Sequence, residues 1–194
     1  MRSICVFCGS SIGSNSAFQS AAVETAKAIA RRNLRLVYGG GKVGLMGVLA
    51  DTALAEGAEV IGVMPEFLMA KEIGHDGLNQ LHIVSSMHER KTQMSGMADG
   101  FIALPGGYGT LEEFCEVLTW AQLGLHQKPC GLLNVNHYYD PLLQMFDQAM
   151  TENLMRPRMR SLVLTADTPN ALLDEMERYK PQLVNQWMQK DTQV

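Results

Sequence analysis

Gly100-Phe101-Ile102-Ala103-Leu104-Pro105-Gly106-Gly107-Tyr108-Gly109-Thr110-Leu111-Glu112-Glu113 is the stretch on which the fold turns. It opens with an apolar run, short and bulky, in the pattern of a buried strand. Beyond the glycines, Leu111, Phe114, Cys115, Leu118, Ala121 and Leu125 recur at helical spacing. The glycines therefore occupy a strand-to-helix turn. Gly106, Gly107 and Gly109 carry no Cβ, so backbone N–H groups there can approach a ligand closely. A helix beginning near Thr110 adds unpaired N–H groups and the positive end of its dipole. Together these make a cradle for a phosphate. Glu113 has two readings. Thr110-x-x-Glu113 fits a capping box, in which both side chains satisfy helix-end donors. Alternatively the carboxylate serves the ligand. A negative charge beside a phosphate loop is unfavourable unless the chemistry develops positive charge next to it.

Outward from this stretch, strand and helix patterns alternate, which predicts an α/β fold with a parallel, doubly wound sheet and helices on both faces. Strands are expected at residues 4–8, 34–38, 60–64, 81–84, 101–104, 130–135 and 162–164, about seven in all. Helices are expected at 16–31, 45–56, 87–98, from about 110, at 138–150 and at 169–179. The helix at 45–56 is apolar nearly all round, so it is buried on more than one side or meets another subunit. Pro65 should halt the third strand, and residues 66–80 lack a clear period and read as a long loop over the site. The expected organisation is one domain over residues 1–180, ended by Pro181, with a frayed tail at 181–194.

Three strands end in small-residue turns: Gly9-Ser10-Ser11, Gly39-Gly40-Gly41 and Gly106-Gly107. Open α/β sheets bind ligands at the carboxyl ends of their strands. Gly9, Ser10, Gly40 and Gly41 are thus possible nucleotide contacts. Gly39-x-Gly41-x-x-Gly44 matches the letters of a dinucleotide fingerprint, but it follows the second strand, and Glu59 and Glu66 are weak candidates for the ribose-binding acid. A Walker loop fails because Lys42 precedes Val43. The simpler reading is close backbone approach to a mononucleotide or phosphosugar.

With 194 residues, 46% hydrophobic content and a formal charge of −4, the chain fits one domain with a substantial core. No basic block appears, which argues against long nucleic acids as partners. The run before Gly9 is too short for a signal peptide, and no apolar stretch reaches membrane-spanning length; a cytoplasmic protein is expected. Cys5-x-x-Cys8 resembles a redox pair, but three residues of strand span ~10 Å and the two side chains face opposite ways. His75, His82, His88, His126 and His137 form no metal-ligand pattern, so no metal is expected.

Ser86-Met87-His88-Glu89-Arg90-Lys91 is the second informative stretch. Ser86-x-x-Glu89 reads as a capping box opening a helix. Met87, Met94, Met97 and Ala98 form its apolar stripe, and Arg90 falls on that stripe. A guanidinium facing inward needs an anionic partner, and a cation near a helix N-terminus opposes the dipole. Glu113 is a natural partner, as is a bound phosphate or nucleobase. A solvated-surface position suits Lys91 better than Arg90.

Met87-His88-x-Arg90-Lys91 and Pro105-Gly106-Gly107-x-Gly109-Thr110-x-x-Glu113 resemble the paired motifs of the LOG (Lonely Guy) family, cytokinin riboside 5′-monophosphate phosphoribohydrolases often mislabelled as lysine decarboxylases. The resemblance covers about residues 2–180, including Tyr38-Gly39-Gly40-Gly41 and Thr119-Trp120-Ala121-Gln122-Leu123-Gly124. It implies a Rossmann-like fold and hydrolysis of the N-glycosidic bond of an adenine-type nucleoside 5′-monophosphate, giving free base and ribose 5-phosphate. It implies Arg90 and Glu113 as the catalytic pair. It implies substrate contacts at Glu72, Arg90, Lys91, Gly107, Tyr108, Gly109, Thr110, Leu111, Glu112, Glu113 and Thr119. It also implies a dimer or larger assembly meeting beside the site, for which Trp120 and the apolar helix at 45–55 are candidates.

The residues fit that chemistry. Departure of the base leaves oxocarbenium-like charge on the ribose, which a carboxylate can stabilise while orienting or activating water. Arg90 stays protonated, so its work is electrostatic: holding Glu113 ionised and positioning phosphate or base. No cofactor is expected. Lysine decarboxylation is disfavoured, because pyridoxal phosphate needs a Schiff-base lysine and neither Lys42 nor Lys91 has a suitable context. A nucleotide- or phosphorylated-cofactor carrier is the alternative, and the Arg90/Glu113 pair is what a passive binder would not need. Among substrates, AMP and its N6-prenylated forms are both open; Met64, Phe67, Leu68 and Met69 are candidates to line a prenyl pocket.

Overall fold

Alternate residues of the first strand enter opposite cores. Ile4 and Val6 pack on one face of the sheet, Cys5 and Phe7 on the other. The computed structural model describes residues 1–69 and 74–181. Among them seven strands form one parallel sheet: β1 (Ser3–Phe7), β2 (Arg35–Tyr38), β3 (Val60–Pro65), β4 (Gln80–Val84), β5 (Gly100–Ala103), β6 (Cys130–Leu133) and β7 (Val163–Ala166). The helices are α1 (Ser16–Arg31), α2 (Gly44–Ala55), α3 (Glu66–Met69), α4 (Met87–Met97), α5 (Tyr108–Gln122), α6 (Asp140–Thr151), α7 (Pro157–Arg160) and α8 (Pro169–Arg178).

The strand order is β4-β3-β2-β1-β5-β6-β7. The chain builds outward from β1 to β4, then returns past β1 to lay down β5, β6 and β7. Strand order thus reverses between β1 and β5, and a crevice opens at their carboxyl ends. The turns after β1 and β5 flank that crevice. Helices α1, α2 and α8 cover one face; α4 and α5 cover the other. Phe114 and Val117 anchor α5 against Phe101 and Ala103 of β5. Burying side chains of this size stabilises by about 1.5–3 kcal/mol each.

Most sequence expectations hold, with local corrections. β3 ends at Pro65 as expected, but includes the proline as its last residue, one beyond Met64. Residues 66–80 are not all loop, since Glu66–Met69 is a short helix and Gly74 bridges to Gly41. Helix α2 is buried on two sides, against the sheet and α1, which accounts for its apolar circumference within one chain. Cys5 and Cys8 are unbridged and belong to different cores. The tail beyond Pro181 lies outside the described residues. No described helix is long and apolar enough to cross a membrane.

Candidate functional site

Three glycine turns lock together at the crevice. The Gly9 N–H donates to Pro105 O at 3.2 Å, and the Leu45 N–H donates to Gly9 O at 3.1 Å, so the turn after β1 is tied to those after β5 and β2. Two tyrosines brace the third turn from below: Tyr139 Oη donates to Leu104 O at 2.6 Å and Tyr138 Oη to Gly106 O at 2.7 Å. Gly106 is required by the fold itself, because a Cβ there would lie 2.1 Å from Thr110 Oγ1. Gly107 and Gly109 differ: a Cβ at either meets nothing within 4 Å. Their bareness serves no internal packing and leaves the backbone open from outside.

Helix α5 starts two residues earlier than the sequence indicates. Gly107 is its N-cap, and the first intrahelical bond runs from the Leu111 N–H to Gly107 O at 3.1 Å. The N–H groups of Tyr108, Gly109 and Thr110 precede that bond, at the positive end of a 15-residue helix. Thr110 is therefore not the cap, and the capping-box reading of Glu113 fails. Glu113 instead faces α4, where its Oε1 lies 3.5 Å from Arg90 Nη1. Both side chains are about nine-tenths buried, with 11% and 9% exposure.

Arg90 is held on three sides. Its Nε donates to Val63 O at 3.1 Å, its Nη2 to Gly39 O at 3.4 Å, and its Nη1 faces Glu113. The buried cation on the apolar stripe of α4 is thus paired as its position requires. Ser86 caps α4, accepting from the Glu89 N–H at 3.2 Å, while the Glu89 carboxylate reaches back to the N–H and hydroxyl of Ser85. Gly39 makes room for the guanidinium: a Cβ there would sit 2.0 Å from Arg90 Nη2. Gly39→Ala should therefore displace the head of Arg90 rather than unfold the chain. We expect a loss of turnover of about 10- to 100-fold with stability changed by no more than about 2 kcal/mol, checked by kinetics and thermal denaturation of one preparation.

Lys91 is not solvated. Its Nζ lies 2.5 Å from Glu112 and 3.1 Å from Glu116, with the side chain 13% exposed. Burial pulls the ammonium down, but the hydrogen bonds it donates to Glu112 and Glu116 outweigh that and hold Lys91 above the usual lysine range. Cys8 lies beside the Arg90–Glu113 pair. Burial first, and then the Glu113 charge, push its thiol well above the ordinary range, so it stands there neutral.

A cavity of about 200 Å³ collects Cys8, Gly9, Ser10, Met46, Arg90, Gly107, Tyr108, Gly109, Thr110 and Glu113. A neighbouring hollow of about 360 Å³ shares Gly9, Ser10 and Gly107 with it and extends to Phe18 and Tyr138. A larger cavity, about 650 Å³, opens at the amino ends of the strands around Arg2, Arg35, Glu59 and Asp99. Three of its charged side chains are already engaged: Arg35 pairs with Glu59 at 2.8 Å, and Asp99 accepts from the N–H groups of Arg2 and Ser3.

The structure thus brings together Arg90, Glu113, Gly9, Ser10, Gly107, Tyr108, Gly109 and Thr110. It does not bring in Gly40 and Gly41, which are covered by the chain at residues 74–75: the His75 N–H donates to Gly40 O, and Gly74 bridges Gly41. Leu111 packs its side chain toward the core, and Glu112 turns to Lys91. Thr119 lies farther along α5, beside an apolar hollow with Phe146, Met155 and Met159. Met64 is fully buried, whereas Phe67 and Met69 stand exposed on α3, so these do not form one pocket. Glu72 lies outside the described residues. Sequence reasoning missed Cys8, Met46 and the two tyrosines; Cys8, as the residue joining β1 to Gly9, was the one with a positional signal.

A family model described as "possible lysine decarboxylase" matches residues 46–176. The probable cytokinin riboside 5′-monophosphate phosphoribohydrolase LOGL2 of Oryza sativa subsp. japonica is 51% identical over 181 residues, covering 93% of this chain and 74% of that protein. The cytokinin riboside 5′-monophosphate phosphoribohydrolase LOG3 of Arabidopsis thaliana is 48% identical over 180 residues, covering 93% and 84%. Among solved structures, the molybdenum cofactor binding protein of Rippkaea orientalis superposes with a TM-score of 0.67 at 21% identity, over 92% of this chain and 97% of that one. The Moco carrier protein of Chlamydomonas reinhardtii gives 0.68 at 19% identity, over 91% and 96%. At that identity the two carriers share the fold alone. The decarboxylase description finds no support in the cavity: no lysine lines it among the described residues, and Lys91 is locked as a cation between two carboxylates. A Schiff-base nucleophile must be neutral. Matched by that model over most of its length and by these relatives over nearly all of it, the chain belongs to the LOG family.

Proposed function

We propose that this protein hydrolyses the N-glycosidic bond of adenine-type nucleoside 5′-monophosphates, AMP or its N6-modified cytokinin forms, releasing the base and ribose 5-phosphate. The observation that carries the reading is the buried Arg90–Glu113 pair, 3.5 Å apart, set beside the open N-terminus of α5. In this reading the 5′-phosphate docks on the N–H groups of residues 107–110 and the ribose faces the pair. The C1′–N9 bond breaks, and its electron pair leaves with the purine, which takes up a proton. Water adds to C1′ and gives up a proton. Glu113 stabilises the cationic sugar and orients or deprotonates the water. Arg90 remains charged and holds the carboxylate in place; a guanidinium is no proton donor. Binding energy from the distant phosphate fixes the ribose for attack.

The relatives at about half identity are named for this reaction, which favours it over a carrier function. A homodimer accompanies the proposal. Leu123, Leu125 and Leu154 stand 51%, 70% and 84% exposed around the carboxyl end of α5, near Thr119, and a second copy would cover them. Four free thiols suit a reducing compartment such as the cytoplasm. The test is incubation of the purified protein with AMP and with isopentenyladenosine monophosphate, followed by separation of the bases. Release of adenine or isopentenyladenine is expected, and the ratio of kcat/KM ranks the substrates. Tight binding without release would make the protein a carrier.

A further inference from the structure

Outside the cavity, a buried histidine paired with an exposed carboxylate, His75 with Asp51, has no role in the chemistry above. His75 is 4% exposed, and both ring nitrogens are engaged. Its Nδ1 accepts from the Gly77 N–H at 3.1 Å, which fixes the tautomer. The proton is then on Nε2, which donates to Asp51 Oδ1 of α2 at 2.8 Å. His75 does not line the cavity, and with both nitrogens bound it has none left for substrate.

What the imidazole does follows from its backbone. Residues 74–76 lie across the turn after β2. The His75 N–H donates to Gly40 O at 3.0 Å, Gly74 bridges Gly41, and Lys42 pairs with Asp76 at 2.8 Å. The Lys42–Asp76 pair is exposed and holds little by itself. The turn needs holding, because Gly40 sits at φ +80° and the carbonyl of its neighbour Gly39 is the one that accepts from Arg90 Nη2. Adjacent carbonyls of one turn are thus held by two different elements: Gly39 O by α4 through Arg90, Gly40 O by the strap through His75. Helix α2, which carries Asp51, begins at the far end of the same turn.

We propose that His75 and Asp51 are positioning residues: the couple clamps the strap to α2 across the turn at residues 39–42, and so fixes the carbonyl that aims Arg90 at Glu113. The proposal rests on the phosphoribohydrolase reading for its kinetic consequence, but not for its structural one. A loosened turn lets the guanidinium drift from the carboxylate, and displacement of about 1 Å at a catalytic group costs up to about 100-fold in rate. Substrate affinity depends on the α5 cradle, which this couple does not touch.

The experiment compares wild type with His75→Ala, His75→Asn, His75→Gln and Asp51→Ala. Two readouts are base release from AMP and amide hydrogen exchange in the peptide covering residues 39–45. Asn places an oxygen where Nδ1 was and keeps only the local bond to Gly77. Gln places an N–H where Nε2 was and keeps the bond to Asp51. We expect His75→Ala, His75→Asn and Asp51→Ala to lower kcat by about 10- to 100-fold with KM little changed, and to speed exchange at residues 39–45. Gln should restore both. Wild-type kcat with wild-type protection in His75→Ala, or equal losses in Asn and Gln, overturns the proposal. Absence of base release by the wild type would reject the reaction; exchange in the variants then decides the clamp alone.

Discussion

Glu113→Gln should lower base release by at least ~100-fold while leaving the fold intact, the loss expected of a positioned catalytic group. Glutamine keeps the size and the hydrogen-bonding reach of the side chain but removes the negative charge. The position is 11% exposed and faces Arg90, so a neutral amide there leaves a buried guanidinium short of its counter-charge. Some stability is lost for that reason, and melting curves must accompany the kinetics. The transition state then lacks the anion that answers the cationic ribose. Arg90→Ala should cost as much by the converse route, stranding the carboxylate. The two losses should not add: once either partner is gone, removing the other costs little, as for groups that act as a unit. Independent, additive losses would mean that the two side chains do separate work.

Gly44→Ala should destabilise the fold strongly. Gly44 opens α2 at φ +65°, a conformation that L side chains adopt at a cost of about 1–2 kcal/mol. A Cβ there would lie 2.1 Å from Ser10 C and 2.3 Å from Ser10 O, backbone atoms that cannot swing aside as a side-chain tip can. Forcing them apart adds roughly 1–3 kcal/mol, the usual cost of overpacking. A total of about 3 kcal/mol or more corresponds to a fall in melting temperature of roughly 6–12 °C for a chain of this size. Since Ser10 lines the cavity beside Arg90 and Glu113, activity should fall as well. Differential scanning calorimetry of the variant checks it, and a shift under about 2 °C would mean that the two turns are not in contact as described.

Arg90 and Glu113 were legible in the sequence to different degrees. A charge on an apolar stripe is an anomaly that periodicity exposes, so Arg90 could be assigned an inward anionic partner before any coordinates. Glu113 stayed ambiguous because its reading depends on where α5 starts. That is set by the backbone at Gly107, which no side-chain pattern reports. Lys91 was misjudged because its partners, Glu112 and Glu116, belong to another helix. The strands could be found from their apolar runs, but those runs look alike in any order. The reversal between β1 and β5, which creates the crevice, exists only in the pairing. Tyr138 and Tyr139 escaped notice because their hydroxyls support a loop more than thirty residues upstream. His75 escaped because residues 74–77 have no period and its distant partners, Asp51 and Gly40, lie more than twenty residues upstream.

The most direct test of the account is a crystal structure of the Glu113→Gln protein soaked with AMP, the substitution slowing turnover enough for the nucleotide to persist. The account predicts the 5′-phosphate within hydrogen-bonding distance of the N–H groups at residues 107–110, and the ribose C1′ next to residue 113 and the Arg90 guanidinium. A nucleotide whose phosphate lies in the cavity at the amino ends of the strands, or whose sugar turns away from Arg90, would contradict it.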